Sequence, residues 1–104
     1  MPSADIRWQG LIQTAPDEGA VLALVRRYLG TLADGEISRL PTGCRPTLPS
    51  TRDEIASWAV TLTRAELGFK GDAQTRALMQ QMVVVFSEAS QRFAQLAQQR
   101  RDLQ

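Results

Sequence analysis

The C-terminal third of the chain carries the pattern that most restricts its fold. From residue 79 onward, side chains recur at alternating spacings of three and four, as in a heptad repeat. The positions of this seam are Met79, Met82, Phe86, Ala89, Phe93, Leu96, Arg100 and Leu103. The valines at 83–85 favour a β-strand when taken alone. Because the seam continues on both sides of them without a helix breaker, the pattern predicts one helix over 73–103 with its centre deep in a bundle.

Two earlier intervals also have helical periodicity. Thr14, followed by Pro16 and Asp17, predicts a helix start, and Gly35 predicts its end. Thr51 and Glu54 have the spacing of a capping box at the start of a second helix. The apolar stripe that follows, which we expect to be buried, is Ile55, Trp58, Leu62, Ala65 and Phe69. We therefore predict an all-α fold, a small bundle of three principal helices at about 14–34, 51–69 and 73–103.

The remaining segments are shorter and less regular. Residues 3–13 fit a helix or a strand, and a short N-terminal helix is favoured because no second strand is available to pair with one. The Pro/Gly-rich segment 35–50 predicts a loop without regular helix or strand. The length of 104 residues fits one helical domain, 1–104, with a single core.

Composition removes most kinds of catalytic chemistry. The chain has no histidine, one cysteine (Cys44) and a formal net charge of +1. Without a histidine base or a cysteine cluster, we expect no enzyme activity, no cofactor and no bound metal. No apolar run suggests a membrane span or a signal peptide, so the expected location is the cytoplasm. Lys70 is the only lysine beside eleven arginines, which we attribute to compositional bias.

The length of the last helix points to a binding surface. At about 1.5 Å per residue it should extend for about 45 Å, whereas the other two helices reach about 30 Å or less. Its end should therefore meet another protein chain, fray, or be covered by residues 3–13. The first alternative is favoured, and the partner-binding residues that it predicts are Phe93, Leu96, Arg100, Arg101 and Leu103.

A second interpretation comes from the start of the middle helix. Residues 52–59 resemble the first half of a helix-turn-helix, although the expected glycine near Val60 is missing. The basic residues that could meet DNA phosphates are Arg52, Arg64, Lys70 and Arg76. The sequence thus predicts a non-enzymatic protein-interaction module, either an adaptor or a homo-oligomer, and leaves a small DNA-binding regulator as the alternative.

Overall fold

Helices make up most of the chain in the computed structural model, which describes residues 4–103 and their side chains from residue 7 onward. No strand occurs in this described part, so the all-α prediction is confirmed. In chain order the elements are α1 (Ala4–Gln13), α2 (Glu18–Gly30), α3 (Asp34–Ser38), a 3₁₀ turn (Thr42–Cys44), α4 (Arg52–Gly68) and α5 (Ala73–Asp102).

Helix α5 is the element against which α1, α2 and α4 pack. Its central seam residues, from Met79 to Ala89, have no exposed surface and form part of one continuous hydrophobic core. The long helix predicted over 73–103 is therefore confirmed. Helix α4 runs antiparallel to it, because the side chain of Glu66 near the end of α4 accepts a hydrogen bond from Gln80 near the start of α5, at 3.1 Å.

The N-terminal region contains a complete helix in addition to the three principal helices predicted from the sequence. Residues 4–13 form α1, as favoured by the sequence, and residue 3 lies outside the described part of the chain. The predicted helix start at Thr14 is wrong, because the hydroxyl of Thr14 donates to the carbonyl of Gly10 at 3.0 Å and so closes the end of α1. Helix α2 begins at Glu18, where Asp17 caps it by accepting from the backbone N–H of Ala20 at 2.8 Å.

The predicted end of that helix at Gly35 is also wrong. Helix α2 ends at Gly30, and Gly35 lies within α3, in a segment that the sequence assigned to a loop. No glycine in the described chain has a positive φ, so none supplies a left-handed cap. The short α3 forms because Glu36 accepts a hydrogen bond from the backbone N–H of Ala33 at 3.0 Å, and no proline interrupts the chain before Pro41.

Trp58 is less buried than its place in the predicted stripe suggests. The buried line along α4 runs through Ile55, Ala59 and Leu62. Trp58 lies at the edge of that line and is half-buried. The capping box at the start of α4 is confirmed, with the hydroxyl of Thr51 accepting from the backbone N–H of Glu54 at 3.2 Å.

Candidate functional site

The predicted partner-binding residues at the end of α5 divide into a buried pair and an exposed group. Phe93 and Leu96 are only 6% and 7% exposed within the single chain. Arg100 and Arg101 are exposed, and Leu103 is 89% exposed. A partner that approached this end of the molecule as it stands would therefore meet the arginines and Leu103, but not the two larger apolar side chains of the seam.

The cover over Phe93 and Leu96 comes from two segments of the same chain. Residues 16–19, which connect α1 to α2 and begin α2, line crevices with both side chains, and residues 50–53 also line the crevice at Phe93. Helix α1 packs on α5. The residues that cover Phe93 and Leu96, however, follow α1 in the sequence and lie outside the segment 3–13 that we considered as a cover. The connections between helices, which helix lengths alone do not include, extend the covered part of α5 beyond the expected limit.

Arginine side chains hold the cover in place. Arg92 of α5 donates two hydrogen bonds to the carbonyl of Ala15, from Nε at 3.0 Å and from Nη2 at 2.8 Å. One carboxylate oxygen of Glu18 lies 3.4 Å from Arg52 and 3.5 Å from Arg100, which links the starts of α2 and α4 to the end of α5. These ion pairs are partly exposed and contribute little stability, whereas the paired donation from Arg92 fixes the connection geometrically.

The basic residues of the DNA-binding alternative include two that lie at opposite ends of α4. Arg52 begins α4 and already pairs with the carboxylate of Glu18 in α2. Arg76 contacts the other end of α4, about 24 Å away along the helix axis, where it lies 3.7 Å from Glu66 and donates to the carbonyl of Phe69. Two of the four cations are thus partly neutralised at opposite ends of α4. The four residues are Arg52, Arg64, Lys70 and Arg76.

The carboxylates near α5 act as helix caps and as hydrogen-bond acceptors between helices. Asp72 accepts from the hydroxyl of Thr75 at 2.8 Å and from its backbone N–H at 3.0 Å, and these bonds lower the pKa of Asp72. Glu88 accepts from Gln9 at 3.0 Å and from Gln13 at 2.9 Å, which joins α1 to α5. Within residues 4–103, no group of three or more His, Cys, Asp or Glu could hold a metal ion.

A shallow apolar groove of about 440 Å³ runs between α4 and α5. Short side chains from both helices form its floor, because they cannot fill the space between the two helix surfaces. They are Ala56, Ala59, Thr63, Ser87 and Ser90. Val60 projects beside them with 51% of its surface exposed, and Arg64 and Gln91 complete the lining. We define these eight residues as the α4–α5 groove.

The α4 side of this groove belongs to a second helical stripe that our sequence prediction missed. The stripe comprises Asp53, Ala56, Val60, Arg64 and Leu67, which we call the outer stripe of α4. All five are exposed, Leu67 at 77%. Their spacings of three, four, four and three place them on one face, turned away from the buried stripe of the same helix. The signal in the sequence is the pair Val60 and Leu67, two large apolar residues seven positions apart that the buried stripe does not include.

Comparisons with models of known protein families, with curated proteins and with solved structures gave no match to this chain. None of the described helices is both long and apolar enough to cross a membrane.

Proposed function

We propose that this protein is a non-enzymatic protein-interaction module that binds an α-helix in the α4–α5 groove. The observation that supports this proposal is the exposure of Val60 beside a groove floored by small side chains. A helix laid along such a floor approaches both α4 and α5 closely, and its apolar side chains fill the space that the small residues leave.

The composition of the groove also favours a protein partner over a phosphate-bearing one. Arg64 is the single charged residue in its lining, and the other seven are alanine, valine, serine, threonine or glutamine. Binding to nucleic acid depends on several cations placed along a phosphate backbone. A mostly uncharged surface with one arginine at its edge is typical instead of the core and rim of a protein interface.

The two carboxylates that form hydrogen bonds between helices lie outside the groove. Glu66 is engaged by Gln80 and Arg76, and Glu88 is engaged by two glutamines of α1. Neither lines the groove. A general acid or base must lie within hydrogen-bonding distance of the group that it protonates or deprotonates, and the groove lining offers neither a carboxylate nor a thiol for that purpose.

Site-specific photo-crosslinking in living cells tests this proposal. A photo-reactive phenylalanine analogue replaces Val60 in one form of the protein and Leu11, a 41% exposed residue of α1, in the control form. We expect covalent protein adducts from position 60 that are absent from position 11. Adding Ala56→Glu, which places a charge on the groove floor, should remove those adducts.

Two results would count against a binding role for the groove. One is the absence of any protein adduct from position 60. The other is the same set of adducts from positions 60 and 11, because such adducts would reflect random collision. Circular dichroism of each form confirms that the helical content is unchanged before the adducts are compared.

A further inference from the structure

The outer stripe of α4 combines apolar side chains with two opposite charges. At about 100° per residue, its five members fall within a sector of about 80° on the helix surface. Ala56 and Val60 lie between Asp53 on the N-terminal side and Arg64 on the C-terminal side. One face of one helix therefore presents a negative end, an apolar middle and a positive end.

Both charges are available to a partner. The side chain of Asp53 is 95% exposed, and its ion pair with Arg52 is a contact between neighbouring residues at 4.0 Å. Within residues 4–103, Arg64 forms no hydrogen bond or ion pair, although it lines the apolar groove. Opposite charges placed across an interface fix the orientation of two partners more than they add to affinity.

From this charge pattern we propose that the helix bound in the groove is α4 of a second copy of this chain, docked antiparallel to the first. Asp53 and Arg64 are eleven positions apart, or about 16 Å along the helix. An antiparallel copy reverses the order of the charges, so that Asp53 of each copy faces Arg64 of the other. A parallel copy would instead place like charges together. The two-fold axis lies between these pairs, near residues 58 and 59.

The apolar middle of the stripe suits the same arrangement. With the axis near residues 58 and 59, Val60 of each copy comes opposite Ala56 and Ser57 of the other. A protruding side chain thus meets small ones on both sides of the axis, as an interface between identical surfaces requires. Leu67, which is 77% exposed, extends over the start of the α4 in the other copy, close to the segment that contains the exposed Leu48.

This inference rests on the proposed function and names the partner. Reversing single charges provides a sharp test, because each reversal turns an attractive pair into a repulsive one at both ends of the interface. The wild-type chain should show a concentration-dependent monomer–dimer equilibrium in sedimentation experiments at low salt. Asp53→Arg alone and Arg64→Asp alone should each weaken self-association on the order of tenfold.

The decisive measurement mixes the two single variants. A copy with Asp53→Arg is positive at both ends of the stripe, and a copy with Arg64→Asp is negative at both ends. Each should self-associate about tenfold more weakly than the wild type, but the mixture should form a heterodimer at least as tight as the wild-type dimer. The same rescue is expected in the double variant. The matched control is Asp34→Arg in the first turn of α3, which should dimerise like the wild type.

The outcomes separate this inference from the function on which it rests. A wild-type chain that stays monomeric at about 1 mM, a dimer that neither single reversal weakens, or two variants that do not combine would each overturn the antiparallel pairing. If the groove then still gives adducts with another protein, the interaction role stands without self-association. Adducts of the chain with itself from position 60, together with the heterodimer, support both.

Discussion

Helix α5 is held differently on its two flanks. On the flank that faces α1 and α2, polar side chains reach between helices: Tyr28 donates to Gln81 at 2.8 Å, and Glu88 accepts from α1. Trp8 also packs edge-on against the ring of Tyr28, with 5.6 Å between the ring centroids. On the flank that faces α4, polar contacts gather near the connection around Glu66, the buried line of α4 enters the core, and small side chains line the α4–α5 groove.

This difference shows how one flank of a helix can be filled by side chains of its neighbours while the other flank keeps an open groove. Directional hydrogen bonds between large side chains fix the separation of two helices and leave little free surface. Small side chains allow close approach of the backbones but leave a groove where the helix surfaces diverge. The α1–α2 flank is therefore fixed by directional contacts, whereas the α4 flank leaves the groove that we propose as the binding surface.

Loss of core packing at the centre of α5, beneath both flanks, should have the largest effect on the free energy of unfolding. Phe86 has no exposed surface at the centre of α5. Phe86→Ala should lower the free energy of unfolding by about 3–5 kcal/mol, because it removes buried ring contacts and leaves a cavity. Urea denaturation of the monomer measures this loss. An unchanged unfolding midpoint would show that α5 is not the centre of the core.

Removing a single contact from the α1–α2 flank should have the next largest effect. Arg92→Met keeps most of the side-chain stem but leaves the carbonyl of Ala15 without its two donors, which should cost about 1–3 kcal/mol. Arg92→Lys should recover only part of the loss, since an ammonium group lacks the planar fork. Arg101→Met is the matched control on an exposed arginine. Equal unfolding midpoints for Arg92→Met and Arg101→Met would contradict a stabilising role for this contact.

The role of Arg92 illustrates what the sequence could not reveal. We attributed the excess of arginine to compositional bias, yet several arginines donate to backbone carbonyls of segments that join helices. Arg26 donates to Pro49 at 3.0 Å, and Arg45 donates to Leu40 at 2.9 Å. Such contacts join residues that are distant in sequence or lie in irregular loops, so no periodic pattern marks them. The same reason explains why the cover over the end of α5 was missed.

The elements that could be predicted are those with strong local signals. The long seam of α5 and the capping box of α4 predicted both helices to within one residue at each end. The boundaries of α2 were wrong because Thr14 and Asp17 are both good caps, and only the packing of α1 decides between them. The groove was missed because burial was inferred from one stripe per helix, whereas α4 carries two.

The junction between α4 and α5 should give the molecule a weak sensitivity to acid. The hydrogen bonds from Thr75 hold the pKa of Asp72 below its ordinary value of 3.8. The folded state therefore favours the ionised carboxylate. This stabilisation is fully present above the ordinary pKa and is lost as the pH falls through the lower pKa of the folded state.

Asp72→Asn should accordingly reduce the difference between the unfolding midpoints at pH 7 and pH 3, because the amide keeps an acceptor but cannot ionise. Asp102→Asn, in the last turn of α5, is the control and should keep the acid dependence of the wild type. If both variants respond to acid as the wild type does, the cap at the start of α5 does not contribute to this dependence.

The smallest effect on folding should come from the side chain that is central to the proposed interface. Val60 and Val85 are both helical valines, but Val60 is 51% exposed in the groove and Val85 is completely buried in α5. At concentrations low enough to keep the chain monomeric, Val85→Ala should cost about 2 kcal/mol of unfolding free energy. Val60→Ala should stay within about 0.5 kcal/mol of the wild type, because little apolar surface is buried there and alanine favours the helix.

In sedimentation experiments at high concentration, Val60→Ala should nevertheless weaken the dimer, because it removes the side chain that enters the other copy. A large loss of monomer stability from Val60→Ala would show that this valine belongs to the core, and that the two flanks of α5 do not differ in the way described.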